Sequence, residues 1–215
     1  MDGSTSRSMS IATPSESNLT ATVLDQEQRI LLLTAANSGS GTSTSALAVA
    51  NQLAQMSGGS VLLIDGSNDP DNLSQQLGLS KLRGFRDLVF DDDTPPLPQD
   101  CIVRLSDQSF DVLPCGLRGR NGERLDPQLL RNLFERLAVD YRFVVIDSEA
   151  VYAGADSLVM GPLVDGVILV VNADDTRREV AQAASQRLAL AGARLVGSVF
   201  NRRRYYMPTW LYNNL

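Results

Sequence analysis

Short apolar runs alternate with helical patterns along most of the chain, and this alternation predicts its architecture. Five runs rich in Val, Ile and Leu predict strands buried on both faces, at residues 30–33, 61–64, 143–146, 167–171 and 195–200. Two weaker strands are predicted at 102–105 and 111–113, and helices at 45–55, 127–139, 156–163 and 177–191. The pattern predicts an α/β fold with a doubly wound, mostly parallel sheet flanked by helices, whose ligands bind at the carboxyl ends of the strands.

Residues at the ends of these patterns predict helix boundaries and the division of the chain. Asp126 followed by Pro127 predicts a helix start, and Gly192 predicts a helix end. Residues 1–24 are rich in Ser and Thr, which predicts a disordered leader. Residues 25–201 form the predicted domain, and residues 202–215 form a tail with Tyr and Arg. The acidic run at 91–98 predicts a solvated surface loop.

A glycine-rich loop between the first strand and the first helix is the first sign of a ligand. Residues 36–43 have the strand–loop–helix context of a phosphate-binding loop. Backbone N–H groups and the helix N-terminus can hold an anion there without any side chain. Position 42, where such loops carry lysine, is threonine, and the single lysine of the chain is Lys81. The predicted phosphate-binding residues are Gly39, Ser40, Gly41, Thr42, Ser43 and Thr44.

Two aspartates follow neighbouring predicted strands and complete a candidate site. Asp65 and Asp147 each end an apolar run, and the carboxyl ends of parallel strands meet at one edge of a sheet. Together with the Ser43 hydroxyl, they are the predicted Mg²⁺ ligands, and the two aspartates are the predicted catalytic or vestigial metal-shell groups. An alternative stays open, in which both aspartates only accept hydrogen bonds at strand ends. Ser43 and Thr44 would also serve as ordinary helix caps.

Composition excludes several classes of function. The chain has 215 residues and a formal net charge of −6, which argues against binding to nucleic acid because that requires a basic face. It has no histidine and only two cysteines, Cys101 and Cys115, so a zinc site or a histidine-based triad is excluded. No apolar run approaches the ~20 residues of a membrane span. We therefore expect a cytoplasmic protein that reaches a membrane only through a partner or its tail.

Several motifs resemble the cytoplasmic kinase domain of bacterial tyrosine kinases of the capsule and exopolysaccharide type, which belong to the deviant phosphate-loop ATPases. Residues 34–44 resemble the family's Thr-Ser-x-x-Pro-Gly-Glu-Gly-Lys-Ser-Thr. Residues 62–65 and 145–148 resemble its second and third nucleotide motifs. Residues 112–116 resemble its Leu-Pro-Ala-Gly turn, and residues 197–202 also match. The resemblance covers nearly the whole chain after residue 29.

The departures from the family pattern fall in the same motifs. Thr42 replaces the catalytic lysine, Ser67 replaces the second aspartate of the second motif, and Glu149 with Ala150 replaces two prolines. Loss of one preorganised donor typically costs roughly 10²–10³-fold in rate. An efficient autokinase is therefore not expected, although the backbone amides can still bind a nucleotide. The cellulose-secretion branch of the superfamily also has threonine at this position.

The resemblance implies a kinase-like subunit of exopolysaccharide or capsule assembly at the inner face of the cell membrane. Its implied cofactor is ATP or ADP with Mg²⁺, and its implied partner is an inner-membrane co-polymerase or chain-length protein. A homo-oligomer is left open. Two alternatives remain: an active tyrosine autokinase that uses Lys81 or Arg177 in place of the lysine, and a nucleotide-switched dimeric ATPase of cellulose-type secretion. The tail tyrosines Tyr205, Tyr206 and Tyr212 are candidate phosphoacceptors, against the alternatives of docking or packing.

Overall fold

A computed structural model describes residues 28–90, 96–106, 108–117 and 124–201. Three of the predictions lie outside these residues. They are the leader at 1–24, residues 91–95 of the loop predicted at 91–98, and the tail with its three candidate phosphoacceptors, Tyr205, Tyr206 and Tyr212.

Within the described residues, seven strands form one sheet in the order β3-β4-β2-β5-β1-β6-β7. Every neighbouring pair is parallel except β3 with β4, which is antiparallel. This arrangement confirms the predicted α/β fold with a mostly parallel sheet. The strands are β1 Ile30–Ala35, β2 Val61–Asp65, β3 Val103–Arg104, β4 Asp111–Leu113, β5 Phe143–Asp147, β6 Gly166–Asn172 and β7 Leu195–Asn201.

Helices cover both faces of the sheet, and each face has its own apolar core. On one face, Val49 and Leu53 of α1 pack with side chains such as Leu33 of β1. On the other, Phe134 of α5 and Leu188 of α7 belong to the second core. Burial on both faces explains why the central strands are continuous apolar runs. The helices are α1 Thr42–Ser57, α2 Leu73–Gln76, α3 Phe85–Val89, α4 Pro98–Cys101, α5 Pro127–Asp140, α6 Asp156–Met160 and α7 Arg178–Leu190, with a 3₁₀ turn at Gly161–Leu163.

Both predicted helix boundaries are confirmed. The Asp126 carboxylate accepts the backbone N–H groups of Gln128 and Leu129, and Pro127 occupies the first turn of α5. Gly192 follows α7 with φ +89°, a conformation that terminates helices and favours glycine.

Three details of the sequence prediction are wrong. The helix predicted at 156–163 ends at Met160 and continues as a 3₁₀ turn, because Pro162 has no backbone N–H to donate. The strand predicted at 102–105 shortens to Val103–Arg104. Pro98, predicted in a loop, begins α4. The helices α2, α3 and α4 were not predicted, since elements of four or five residues are too short for helical periodicity to be visible.

Replacement of Asp126 by alanine tests the helix start. We expect Asp126→Ala to lower the free energy of unfolding by about 1 kcal/mol, because two N–H groups of the first turn lose their acceptor. For a chain of this length the midpoint of thermal unfolding should fall by roughly 2–4 °C. Asp126→Asn, which retains the acceptor oxygen, is the matched control. An equal loss in both variants would contradict the capping role.

Candidate nucleotide site

The sheet brings three loops together at the carboxyl ends of β2, β5 and β1. Asp147 is directly opposite Leu33 on one neighbouring strand and Asp65 on the other. Side chains at paired positions of parallel strands point to the same face of the sheet. Along both strands every second side chain packs against α1, and Asp65 and Asp147 occupy positions of that set. Both carboxylates therefore lie on the α1 side, near the loop that precedes this helix.

The loop from residue 36 to residue 41 has the backbone of an anion cradle. Gly39 and Gly41 have φ angles of +76° and +86°, which L side chains rarely adopt. The Ser40 hydroxyl donates to the Asn37 carbonyl at 2.8 Å and closes the turn. The first residue of α1 is Thr42, and its N-cap Gly41 makes no side-chain capping bond. The first-turn N–H groups are thus left without an N-cap side-chain acceptor and can receive a phosphate.

Ser43 and Thr44 do not act as the N-cap of α1. They occupy the second and third positions inside the helix, whereas the N-cap is Gly41. The ordinary capping interpretation of these two hydroxyls is therefore wrong. Ser43 is instead close enough to Asp147 to influence the ionisation of its carboxyl group.

Asn201 is a site residue that sequence reasoning did not identify. Its side-chain amide donates to the Ser40 carbonyl at 3.0 Å, so the end of β7 touches the loop. A Cβ atom placed on Gly41 would lie 1.8 Å from Asn201 Nδ2. Position 41 therefore requires glycine both for its φ angle and for this close contact. The sequence signal was an amide residue at the end of a predicted strand, which is too common to single out.

Asp147 is fully buried, and no hydrogen bond of good geometry reaches its carboxylate, although the Ser43 hydroxyl and the Ser148 N–H lie close to it. Its exposed fraction is 0%, and both oxygens are unpaired among the residues that the structure describes. Burial raises the pKa of Asp147 to about 8, and the nearby Ser43 hydroxyl opposes this increase without reversing it. A buried carboxylate without donors is costly when charged, which makes it a natural ligand for a cation.

Asp65 has the same burial but a full set of donors. One oxygen accepts the Ser67 N–H at 3.2 Å, and the other accepts the backbone N–H and hydroxyl of Ser74 at 2.7 and 2.5 Å. Burial raises the pKa of Asp65, while the bonds from Ser74 and Ser67 lower it. Ser74 Oγ in turn accepts the Cys115 N–H at 2.7 Å. This carboxylate therefore ties the loop after β2 to the turn after β4.

Glu149 and a buried arginine stabilise the loop that follows Asp147. Glu149 Oε1 accepts the Asp156 N–H at 3.3 Å, and burial followed by the charge of Asp156 raises the pKa of Glu149. Arg86, only 1% exposed, pairs with Asp156 and stacks 5.7 Å from the ring centre of Phe90. Sequence reasoning missed Arg86, because a single arginine in a short helix carries no pattern.

The residues around the loop suit magnesium with a phosphate better than a metal held by protein alone. Within the described ranges, no group of three or more His, Cys, Asp or Glu side chains is placed to hold a metal. Mg²⁺ commonly takes one or two carboxylates and completes its shell with phosphate oxygens and water. Asp147, with two unpaired oxygens, and Ser43 fit that role, whereas the oxygens of Asp65 already have donors.

Lys81 does not contact the phosphate loop in the described structure. It is exposed between α2 and α3, and within the described residues no hydrogen bond or ion pair joins it to the phosphate loop. Arg177, the other proposed substitute, is exposed at the start of α7.

Comparisons with known proteins point to one group of kinases. No family model matches the chain. The tyrosine-protein kinase YwqD of Bacillus subtilis is 25% identical over 148 residues, which is 68% of this chain and 61% of that protein. The putative tyrosine-protein kinase CapB of Staphylococcus aureus is 26% identical over 68% of this chain and 63% of its own length. The chain thus spans less than two thirds of these curated relatives.

Solved structures agree with this similarity. The kinase domain of VpsO is 26% identical and superposes with a TM-score of 0.72, covering 88% of this chain and 96% of that one. The chimerical protein CapA2B2 is 24% identical with a TM-score of 0.75, over 90% of this chain and 87% of that one. A MinD protein from Pyrococcus horikoshii OT3, complexed with Mg-ADP, shares the fold at 18% identity with a TM-score of 0.57, over 86% and 76%. In sequence the chain is thus similar to bacterial tyrosine-protein kinases, and it shares its fold with the VpsO kinase domain and with MinD.

The unpaired carboxylate of Asp147 predicts an unusual dependence of stability on pH. The folded protein keeps this proton up to a pH of about 8, while the unfolded chain releases it near the ordinary value of 3.8. The unfolded state therefore binds fewer protons between these values, so the contribution of Asp147 to stability falls as pH rises. Asp147→Asn, which is neutral at every pH, removes this loss.

We expect the stability of Asp147→Asn relative to wild type to increase by on the order of 2 kcal/mol between pH 5.5 and 7.5. Chemical unfolding in EDTA at several pH values measures the difference. Asp100→Asn, an exposed position on α4, is the control and should show no such trend. A difference for Asp147→Asn that stays constant with pH would contradict a buried, protonated carboxyl group.

Proposed function

We propose that this chain is a kinase-like subunit of exopolysaccharide or capsule biosynthesis that binds a nucleotide but transfers phosphate poorly. It acts as a regulatory or scaffolding partner of an inner-membrane co-polymerase, at the cytoplasmic face of the membrane. The observation that carries the proposal is the phosphate loop: its backbone cradle is complete, while Thr42 stands where the catalytic lysine belongs.

The geometry favours retention of nucleotide binding. Gly39 and Gly41 supply the required backbone angles, and the start of α1 is free of an N-cap side chain. Ser43 and Asp147 would hold Mg²⁺, which neutralises the charge that develops on a transferred phosphoryl group. Binding by backbone amides and the helix dipole does not require the lysine.

The same geometry disfavours efficient transfer. Phosphoryl transfer depends almost entirely on positioning and electrostatic stabilisation. Because position 42 is threonine rather than lysine, the loop lacks a full positive charge. The oxygens of Asp65 already accept hydrogen bonds from Ser67 and Ser74. Ser67, at the position of the family's second aspartate, is buried, and its hydroxyl accepts the Asp69 N–H at 3.2 Å where the family would offer a carboxylate.

The proposed partner and location rest on the relatives. CapB and the CapA2B2 chimera connect this fold to proteins of the Cap type, and the similarity to CapA2B2 covers most of this chain. No helix in the described part of the chain is long and apolar enough to cross a membrane. The membrane partner is proposed from these relatives alone.

Calorimetry with ATP and Mg²⁺, together with a phosphotyrosine blot of the purified protein, tests the function. We expect saturable nucleotide binding and no detectable phosphotyrosine. Gly41→Ala should abolish binding, because its new Cβ would overlap Asn201 Nδ2 at a backbone angle that alanine avoids. Robust autophosphorylation of the wild type would refute the proposed impairment and support the active-kinase alternative.

Restoring the lysine tests whether the site lost its activity with that residue or uses another cationic residue in its place. We expect Thr42→Lys to raise ATP hydrolysis or autophosphorylation from background by roughly 10²–10³-fold, the range for one preorganised donor. Thr42→Ser keeps a hydroxyl without the charge and should remain at background. Light scattering with and without ATP accompanies these assays, and dimer formation driven by nucleotide would instead support the ATPase-switch alternative.

A further inference from the structure

The phosphate loop is held from outside by the last residue of β7. The Asn201 side-chain amide donates to the Ser40 carbonyl at 3.0 Å, across 161 positions of the sequence. The strand end is itself fixed, because the Asn201 carbonyl accepts the Ala173 N–H at 3.0 Å beside the end of β6. The loop is therefore tied to the edge of the sheet by a side chain that belongs neither to the loop nor to α1.

The Ser40 carbonyl depends on this donor. Ser40 is only 3% exposed, so water has little access to its polar groups. The first hydrogen bond of α1 runs from the Ser45 N–H to the Gly41 carbonyl, so the helix offers no donor to Ser40. Without the Asn201 amide a buried carbonyl would lose its partner, which costs free energy. The contact with Asn201 thus determines which way this carbonyl points.

The same contact sets the direction of one backbone donor of the loop. The Ser40 carbonyl and the Gly41 N–H belong to one trans peptide group, in which they point in opposite directions. Because the carbonyl is turned toward β7, the Gly41 N–H points away from this strand. Among the described residues no backbone carbonyl accepts this N–H, which leaves it available to an anion.

The amide of Asn201 also packs closely on the loop. A Cβ atom added to Gly41 would lie 1.8 Å from Asn201 Nδ2 and 3.1 Å from Asn201 Cγ. The peptide group between Ser40 and Gly41 is therefore held by a hydrogen bond and by direct packing at once, so removal of the amide would release it.

We propose that Asn201 is a positioning residue for the phosphates: by holding the Ser40 carbonyl, it aims the Gly41 N–H into the anion cradle. The proposal rests on the nucleotide binding proposed above. Such a role matters more in this chain than in a loop with lysine. Because position 42 is threonine, backbone donors carry a larger share of the phosphate binding, and their direction has to be fixed.

Calorimetry on the full chain, with Mg²⁺ and either ATP or inorganic triphosphate, tests the proposal. We expect Asn201→Ala to lower the affinity for both ligands by roughly 3- to 10-fold, the value of one neutral hydrogen bond. Asn201→Asp should lose more, because a carboxylate would face the Ser40 carbonyl oxygen. Inorganic triphosphate has no base or sugar, so a similar loss with both ligands assigns the effect to the phosphates.

Asn172→Asp is the matched control for Asn201→Asp. Asn172 is paired with Asn201 in the register of β6 and β7, and its Oδ1 accepts the Asp174 N–H at 3.2 Å, a bond that aspartate retains. The control adds the same charge at the neighbouring strand end without removing the donor to the Ser40 carbonyl. An equal loss in both aspartate variants would show a general effect of charge and would overturn the proposal.

A second measurement follows the Gly41 amide itself by NMR. We expect its resonance to move when inorganic triphosphate is added to the wild type, and Asn201→Ala should reduce this shift at saturating ligand. Gly58, with a φ angle of +60° at the other end of α1, should not move in either protein. A Gly41 shift that is unchanged in the variant would contradict the positioning role. Thermal unfolding of each variant verifies that the fold is intact.

The outcomes separate this inference from the proposed function. If the wild type binds no nucleotide, both fail. If the wild type and Asn201→Ala bind ATP equally, the inference is overturned while nucleotide binding stands. A loss confined to ATP, or a wild type that does not bind inorganic triphosphate, would place the interaction at the nucleoside and would also overturn the inference.

Discussion

The parallel register of β5 with β2 and β1 is the constraint on which the site depends. Because Asp147 is paired with Asp65 on one side and with Leu33 on the other, the last position of β5 can only face α1 and its preceding loop. The loop after β5 is fastened to β1 as well: the Ser148 N–H donates to the Leu33 carbonyl at 3.0 Å, and the Thr34 hydroxyl donates to the Glu149 carbonyl at 2.7 Å. The apolar core thus places a carboxylate where the site needs one.

The two aspartates show how similar positions acquire different roles. Both are fully buried at the end of a strand, but hydrogen bonds of good geometry reach only Asp65, from Ser67 and Ser74. Asp65 therefore holds two loops together, while Asp147 keeps its oxygens unpaired. An unpaired buried carboxylate destabilises the fold when ionised, and such a cost is tolerated where a ligand compensates for it. This asymmetry supports the proposal that Asp147, rather than Asp65, would hold the metal ion.

The sequence predicted what depends on periodicity and missed what depends on single contacts. The buried strands appear as apolar runs, so the sheet, the loop and the meeting of Asp65 with Asp147 follow from the pattern. Arg86 and Asn201 could not be identified, because their importance comes from residues 70 and 161 positions away in the chain. Hydrogen-bond donors also distinguish the two aspartates from each other, and no pattern in the sequence records which side chains those donors reach.

The shape of the phosphate loop and its charge are controlled by different residues. Its shape depends on Gly39, on Gly41 and on the packing of Asn201 against that glycine, none of which involves position 42. A chain can therefore lose the lysine and still fold the loop, so an intact cradle is no evidence of catalysis. A site that has lost catalysis differs from one that has kept it by other means in whether another residue supplies positive charge at the phosphates.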